Sequence, residues 1–302
     1  MNDPDLYVTD EAAGDSWQLL LGDSCERLAE IDTDSVRFSI CSPPFAQLYN
    51  YSPSPRDLSN SRDRAEFFEH YKFIIREQLR VTLPGRLAAV HVQQITRQKV
   101  MHGVIGLTDF RGQVIRAFED EGWIYHGEKT ISKDPQAQAI RTKSQSLLFV
   151  TLRRDSAMSR PALADYLILF RKPGDNSEPI ISELTNEEWI HFASPVWLDI
   201  RETNTLNTAV AKADKDERHI CPLQLDLIDY AVRLWSNPGD LVLSPFAGIG
   251  SEGVGAIRRG RRFIGCELKP EYWQVACRNL ANAEADANAP LLFDLDGTPA
   301  IA

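Results

Sequence analysis

The chain has 302 residues, 43% hydrophobic and 25% charged, with a formal net charge of −10; this is a globular composition that argues against a general nucleic-acid coat protein but leaves room for a DNA enzyme with a local basic face. No apolar run approaches the roughly 18–20 residues that span a membrane, and the acidic opening MNDPDLYVTDEAAGDSW is unlike a signal peptide. Five scattered cysteines (Cys25, Cys41, Cys221, Cys266, Cys277) without CxxC spacing predict no zinc site, no disulfide framework and a reducing, cytoplasmic setting.

A strand over 17–21 closes on Gly22-Asp23, and Ser24 caps a short helix. The near-continuous apolar run over 36–42 reads as a strand covered on both faces. It runs into Cys41-Ser42-Pro43-Pro44-Phe45, and a long polar loop rich in Ser, Pro, Asn and Arg follows. Phe67, Phe68, Tyr71, Ile74, Ile75 and Leu79 share one face of a helix over 65–83, which Pro84-Gly85 is expected to stop. Then come a strand over 86–92, a helix over 109–121, a β-rich stretch from Trp123 and a strand over 165–172. Between the last two lies a basic insert, containing Arg141, Lys143, Arg153, Arg154 and Arg160, whose plain reading is a solvated charged hairpin. The pattern weakens over 173–218, where Trp189 and Trp197 suggest the core of a small irregular module. A helix over 222–235, the turn Asn237-Pro238-Gly239-Asp240, a strand over 241–246, a helix over 251–259, a strand over 261–268 and a helix opened by Pro270 complete the chain before a frayed tail. Strands alternating with helices predict an α/β fold with a mostly parallel, seven-stranded sheet and helices on both faces.

The most informative segment is LVLSPFAGIGSEGVGAIRRGRRFIGCEL. A strand enters Gly248-x-Gly250-x-x-Gly253, a helix follows, and a second strand ends at Glu267, about 20 residues after the first glycine. Glycines let the backbone approach a ligand, and the acidic residue accepts hydrogen bonds from ribose hydroxyls. An adenosine-type cofactor is expected, either NAD or S-adenosylmethionine. Only one helix and a tail follow Glu267, so the rest of the sheet must come from the N-terminal part. The cofactor half therefore stands at the back of the chain, a permuted order.

Taken together, the two ends resemble the beta-group, permuted DNA amino-methyltransferases, the N4-cytosine and N6-adenine family. Ser42-Pro43-Pro44-Phe45 resembles their [DNS]PP[YFW] motif, of the SPPF type. SPFAGIG (244–250) resembles their cofactor motif, usually DPFxGxG, and ERHICPLQL (217–225) the segment before it. ISKDPQ (131–136) looks like the loop after the catalytic half. The resemblance implies a Rossmann-like methyltransferase fold in three parts: a catalytic half over 1–172, a target-recognition region over 173–216 and a cofactor half over 217–286, with a tail over 287–302. It implies S-adenosylmethionine as cofactor, held by Asp23, His219, Pro245, Phe246, Ala247, Gly248, Gly250, Ser251 and Glu267. It also implies double-stranded DNA as partner, a bacterial or phage source, and possible homodimers. Ser244 stands where the family often has Asp, so one carboxylate of the cofactor pocket is absent from its usual place.

In the family picture, the Ser42 side chain and the Pro43 carbonyl accept hydrogen bonds from the exocyclic amine, aiming its lone pair at the methyl group. Orientation of this kind supplies much of a rate. The prolines fix φ and remove competing N–H donors, and Phe45 stacks on a base flipped out of the duplex. Serine at the first position favours cytosine N4, with adenine N6 as the alternative. A Cys41 nucleophile for C5 methylation lacks the Pro-Cys pair and the Glu-Asn-Val segment it would need. Arg56, Arg62 and Arg64 in the long loop, with Arg141, Lys143, Arg153 and Arg154 in the basic insert, are candidates for DNA phosphates. Two competing readings, a Rossmann-type oxidoreductase and an inactive DNA-binding relative, give Ser42 no role and no methyl transfer respectively.

Overall fold

The computed structural model describes residues 7–44, 56–97, 103–206 and 222–289. The chain opens with β1 (Asp10–Ala13), β2 (Trp17–Leu21), a short helix α1 (Ser24–Arg27) and β3 (Val36–Cys41). Asp23 caps α1 by accepting from the Cys25 N–H. Helix α2 (Arg64–Val81) starts on Asp63, which accepts from the Glu66 N–H, and buries Phe67, Tyr71, Ile74 and Ile75. It stops at Val81, and strand β4 (Thr82–Gln93) begins at once. Pro84-Gly85 thus lies inside the strand rather than ending the helix; Gly85 takes φ +74°, a conformation open to glycine without strain. A small hairpin, β5 (Ile95–Arg97) and β6 (Gly106–Thr108), leads to α3 (Phe110–Asp120) and β7 (Ile124–Ile131).

The basic insert is not a hairpin. It folds as two short helices, α4 (Pro135–Thr142) and α5 (Phe149–Arg154), joined by a 3-10 turn. Strand β8 (Asp165–Arg171) returns to the sheet, followed by α6 (Asn186–Ala193), with a Thr185/Glu188 capping box, and the two-residue β9 (Val196–Trp197). The chain ends with α7 (Leu225–Trp235), β10 (Leu241–Ser244), α8 (Ser251–Arg258), β11 (Arg262–Glu267) and α9 (Pro270–Asn288).

The sheet order is β1-β2-β11-β10-β3-β4-β8-β7-β9, nine strands where the sequence predicts seven. The seven expected strands form the centre. The two additions are edges: β1 pairs antiparallel with β2, and β9 pairs with β7. Both are too short to carry a readable apolar period. Strands β2, β11, β10, β3 and β4 run parallel, and β8 is antiparallel to both its neighbours. The last two strands of the chain are thus inserted between the first two long ones.

Residues alternate between the two faces along each strand. Phe38, Ile40, Ala89, Leu167 and Val242 join the core under α7, α8 and α9. Cys41, Ala88, Val90, Ile168 and Leu243 join the core under α1, α2 and α3. The chain leaves β10 for α8 on one face and leaves β3 toward α2 on the other. A crevice therefore opens between β10 and β3 beyond their carboxyl ends, as expected at a topological switch point. Trp197 is fully buried in the first core, beside Tyr230 and Trp235, whereas Trp189 is 56% exposed on α6. Arg86 of β4 is fully buried and ties the sheet to its surroundings. It donates to the carbonyls of Arg37 and Glu178 and pairs with Asp240 in the turn before β10. Among the described residues, no helix is long and apolar enough to cross a membrane.

Candidate active site

A cleft lies at that switch point. Its walls bring together Ser42, Pro43 and Pro44 after β3, Asp23 after β2, Pro245 to Gly248 and Ser251 after β10, and Glu267 at the end of β11. Most of the residues singled out in the cofactor and catalytic motifs therefore converge there, from Asp23 near one end of the chain to Glu267 near the other. Gly250 stands behind the wall, with φ +87°, and a side chain on it would meet Ala276 at 3.3 Å. Phe45 and His219 lie outside the described residues.

The glycine loop is shaped for close approach. Gly248 takes φ +53°, and a Cβ built on it would meet nothing within 4 Å, so bare backbone faces the open cleft. Gly253 serves packing instead: its Cβ would stand 2.4 Å from Leu280 and 2.6 Å from Phe263. Glu267 accepts from the Gly248 N–H at 2.8 Å and from the Lys269 N–H at 2.9 Å. A carboxylate has about four acceptor sites, so one lone pair on each oxygen remains for ribose hydroxyls.

Four acidic residues line this cleft: Asp23, Asp57, Glu252 and Glu267. Asp23 is engaged by the Cys25 N–H and by Arg56 at 3.4 Å. The two glutamates are perturbed. Burial pushes the Glu252 carboxyl up to about 8, its own backbone N–H opposes this, and the charge of Glu267 adds to it. Burial likewise pushes Glu267 up to about 7, against the N–H groups of Lys269 and Gly248. Glu252 is only 4% exposed, and the hydroxyl of Ser251 beside it is buried without a hydrogen-bond partner. An acidic, partly apolar cleft with an idle hydroxyl suits a ligand that carries positive charge and hydroxyl groups. S-adenosylmethionine, with a sulfonium, an ammonium and a ribose, has that chemistry. NAD, with a pyrophosphate, fits less well: four acidic residues line the cleft, two of them already raised by burial, so added negative charge is disfavoured there.

A second cluster borders Ser42 and escaped the sequence reading. The register explains it. Cys41 pairs with Val90, which brings Ser42 level with His91; Gln93 pairs with Asp165, and Asp165 with Ile131, two residues before Lys133. By strand alternation Ser42, His91, Asp165 and Lys133 share the face of the α7–α9 core. Ser42 Oγ lies 3.2 Å from His91 Nδ1. His91 Nε2 lies 3.2 Å from Asp165 Oδ2, off the axis of an ideal hydrogen bond. Asp165 also accepts from Lys133 Nζ at 2.7 Å and from Gln93 Nε2 at 2.7 Å. Burial alone would raise the Asp165 carboxyl; the His91 and Lys133 contacts outweigh it and hold it down to about 2.

Cys41 points to the opposite core, is fully buried, and has its thiol pushed well up by that burial, which is no environment for a thiolate nucleophile. The candidate DNA-contacting cations do not converge on one spot. Arg62 pairs with Glu66, Arg64 donates to Thr108, Arg56 pairs with Asp23 and Glu26 at the rim of the cleft, and Arg141 pairs with Glu202. Lys143, just past the end of α4, and Arg153 and Arg154 on α5 are exposed in the basic insert. Among the described residues no group of His, Cys, Asp or Glu is arranged to hold a metal.

A family model described as DNA methylase (N6_N4_Mtase) matches residues 36–278, from β3 through most of α9. The chain belongs to this DNA methylase family. The type II methyltransferase M.BglI of Bacillus subtilis is 29% identical over 168 residues, 55% of this chain and 41% of that protein. M1.MboII of Moraxella bovis is 39% identical over 89 residues, 30% of each chain. The chain thus covers less than half the length of either of these relatives. Among solved structures, a DNA modification methylase of Thermus thermophilus, TTHA0409, in complex with S-adenosyl-L-methionine superposes with a TM-score of 0.65 at 24% identity, over 87% of this chain and 92% of that one. The cytosine-N4-specific PvuII DNA methyltransferase superposes with a TM-score of 0.61 at 16% identity, over 91% and 93%. At these identities the likeness is one of fold.

Proposed function

We propose that this chain transfers a methyl group from S-adenosylmethionine to the exocyclic N4 amine of cytosine in double-stranded DNA, directly and without a covalent enzyme intermediate. The observation that carries the reading is the shared cleft: Ser42-Pro43-Pro44 and the glycine loop with Glu267 open into one space at the carboxyl ends of β3, β10 and β11. When bound, S-adenosylmethionine supplies an electrophilic methyl group on a sulfonium. Gly248 brings bare backbone to it, Glu267 accepts from its ribose, and the acidic lining balances its charge. Ser42 Oγ and the Pro43 carbonyl accept from the amine and turn its lone pair toward the methyl group. The base is swung out of the duplex, since neither acceptor is reachable inside one, and Phe45 stacks on it. The catalytic motif thus precedes the cofactor motif, in the permuted, beta-group order, with a recognition region over 173–216 between them. Arg62, Arg64, Lys143, Arg153 and Arg154 meet the phosphates, which position the duplex without reading it.

Serine at position 42 and the fold shared with the cytosine-N4-specific PvuII enzyme support cytosine as the base. The test is to incubate the protein with methyl-labelled S-adenosylmethionine and unmethylated DNA, digest to nucleosides and identify the product. N4-methylcytosine is expected. Label in N6-methyladenine overturns the choice of base, and DNA without label overturns the activity.

A further inference from the structure

We propose that His91 is the positioning and proton-accepting partner of Ser42: its Nδ1 takes the Ser42 hydroxyl proton, so that Ser42 Oγ presents lone pairs to the target amine and then receives the proton the amine sheds. This rests on the methyl-transfer reading above and assigns a role to residues outside both sequence motifs.

A serine hydroxyl has one proton and two acceptor lone pairs. As an acceptor for an amine it serves only if its proton is directed elsewhere. Among the described residues, the two acceptors placed within reach both belong to His91: ring Nδ1 at 3.2 Å and the backbone carbonyl at 3.4 Å. The hydroxyl proton is therefore turned into the protein and the lone pairs into the cleft. For Nδ1 to accept, the neutral ring must carry its proton on Nε2, and Nε2 is the atom that faces the Asp165 carboxylate at 3.2 Å. Asp165 is 5% exposed and is held as an anion by Lys133 and Gln93 as well. It thus selects the tautomer and can balance an imidazolium when one forms, the logic by which an orienting carboxylate supports a histidine base.

The proton balance closes within this chain of residues. As the amine nitrogen bonds the methyl carbon, the carbon–sulfur bond breaks with its electron pair left on sulfur, and the nitrogen becomes cationic. One N–H bond then breaks with its electrons retained by nitrogen. That proton goes to Ser42 Oγ while the Ser42 proton goes to His91 Nδ1. Serine ends neutral, and the imidazolium rests against Asp165 until it returns the proton to water. The charged and titratable groups around the ring come from every neighbouring strand: Ser42 after β3, Asp165 on β8 and Lys133 after β7. Glu202 lies 4.0 Å beyond Lys133 and is paired with Arg141. Glu252 lines the same cleft as Ser42.

The test uses the full chain in two arms. In the first, single-turnover methyl transfer is measured against pH for the wild type and His91→Gln, with cofactor affinity measured by calorimetry. The wild-type rate falls on the acid side as the ring takes up a proton. The variant is expected to bind cofactor within about threefold of wild type, lose roughly 10²-fold in rate and lose the acid limb, in the usual range for a proton acceptor. A wild-type rate in His91→Gln, or an acid limb that persists, overturns the proposal. In the second arm, the ring nitrogens of His91 are followed by NMR without DNA. A proton on Nε2 in the wild type, with the Nδ1 signal shifting in Ser42→Ala and the tautomer changing in Asp165→Asn, supports it. A ring protonated on Nδ1, or signals indifferent to both substitutions, overturns it. Should the wild type label no DNA at any pH, the methyl-transfer reading fails while the second arm still decides the hydrogen-bonded pair.

Discussion

Glu252 offers the sharpest test of the cleft's electrostatics. It stands in the first turn of α8, 4% exposed, with its carboxyl pushed by burial from 4.5 up to about 8. The folded state therefore keeps a proton that the unfolded state has already released. Stability rises with pH only where the unfolded state binds more protons; here the folded state binds more, so this contribution is complete below the unfolded value and is lost as pH climbs toward about 8. The interval from 4.5 to about 8, at about 1.4 kcal/mol per unit, amounts to about 5 kcal/mol across the window. Roughly 3 kcal/mol of it has gone by neutral pH. Glu252→Gln removes the titration and keeps the volume. The variant is expected to match the wild type near pH 4.5 and to exceed it in urea midpoint progressively toward pH 8, with an unchanged dependence on denaturant. A cationic cofactor offsets the same cost, so S-adenosylmethionine should stabilise the wild type more than the variant at high pH, and its binding should release protons. Calorimetry in buffers of different ionisation enthalpy reads that release. A stability difference independent of pH, or a variant less stable than wild type at pH 8, would refute the reasoning.

Three further outcomes follow from the same structure. Glu267→Gln should weaken cofactor binding at least tenfold through lost ribose acceptance, while easing only slightly the upward push on the Glu252 carboxyl, which burial dominates; equilibrium binding against pH checks both. Gly253→Ala places a methyl group within 2.6 Å of Phe263 and Leu280 and should cost about 1–3 kcal/mol by overpacking, read from thermal unfolding. Asp240→Ala leaves the fully buried Arg86 guanidinium without its counter-charge and should cost about 3–5 kcal/mol; a loss under 1 kcal/mol in urea unfolding would show the two carbonyl contacts to be sufficient.

The central sheet was legible because buried parallel strands read as near-continuous apolar runs. VRFSIC and RFIGCE announce themselves, whereas DEAA and VW at the two edges carry no period to detect. The glycine loop and SPPF were legible because each is contiguous in sequence. His91 and Asp165 were not, because nothing local marks them: each looks like an ordinary polar residue at the end of a strand. Lys133 lies within ISKDPQ, a segment that by itself assigns it no role. What joins them is register, the pairing of Cys41 with Val90 and of Asp165 with both Gln93 and Ile131, and register is fixed by the whole sheet. The basic insert misled by composition. Its charges suggested a hairpin, but Asp134 capping the first turn and Pro135 just inside it specify a helix start.

The departure at Ser244 takes on a different meaning once the burial is known. The sequence shows a serine where the family often has Asp and leaves the cofactor's amino end without an evident carboxylate. In the fold, the Ser244 hydroxyl is buried and without a partner, while Glu252, eight residues on, brings a carboxyl into the cleft from the start of α8. A carboxylate at the end of a strand has water and loop backbone to solvate it. A carboxyl within the first turn of a buried helix has little beyond its own N–H, and its proton comes off late. Burial favours the neutral form of the Glu252 carboxyl, and a cation placed beside it would favour the charged form. Affinity for the cofactor should therefore rise with pH through the interval in which Glu252 titrates, by up to tenfold per pH unit for a single coupled proton. Glu252→Gln should flatten that slope. A cofactor affinity that is flat with pH in the wild type would sever Glu252 from cofactor binding and leave its burial as a matter of packing alone.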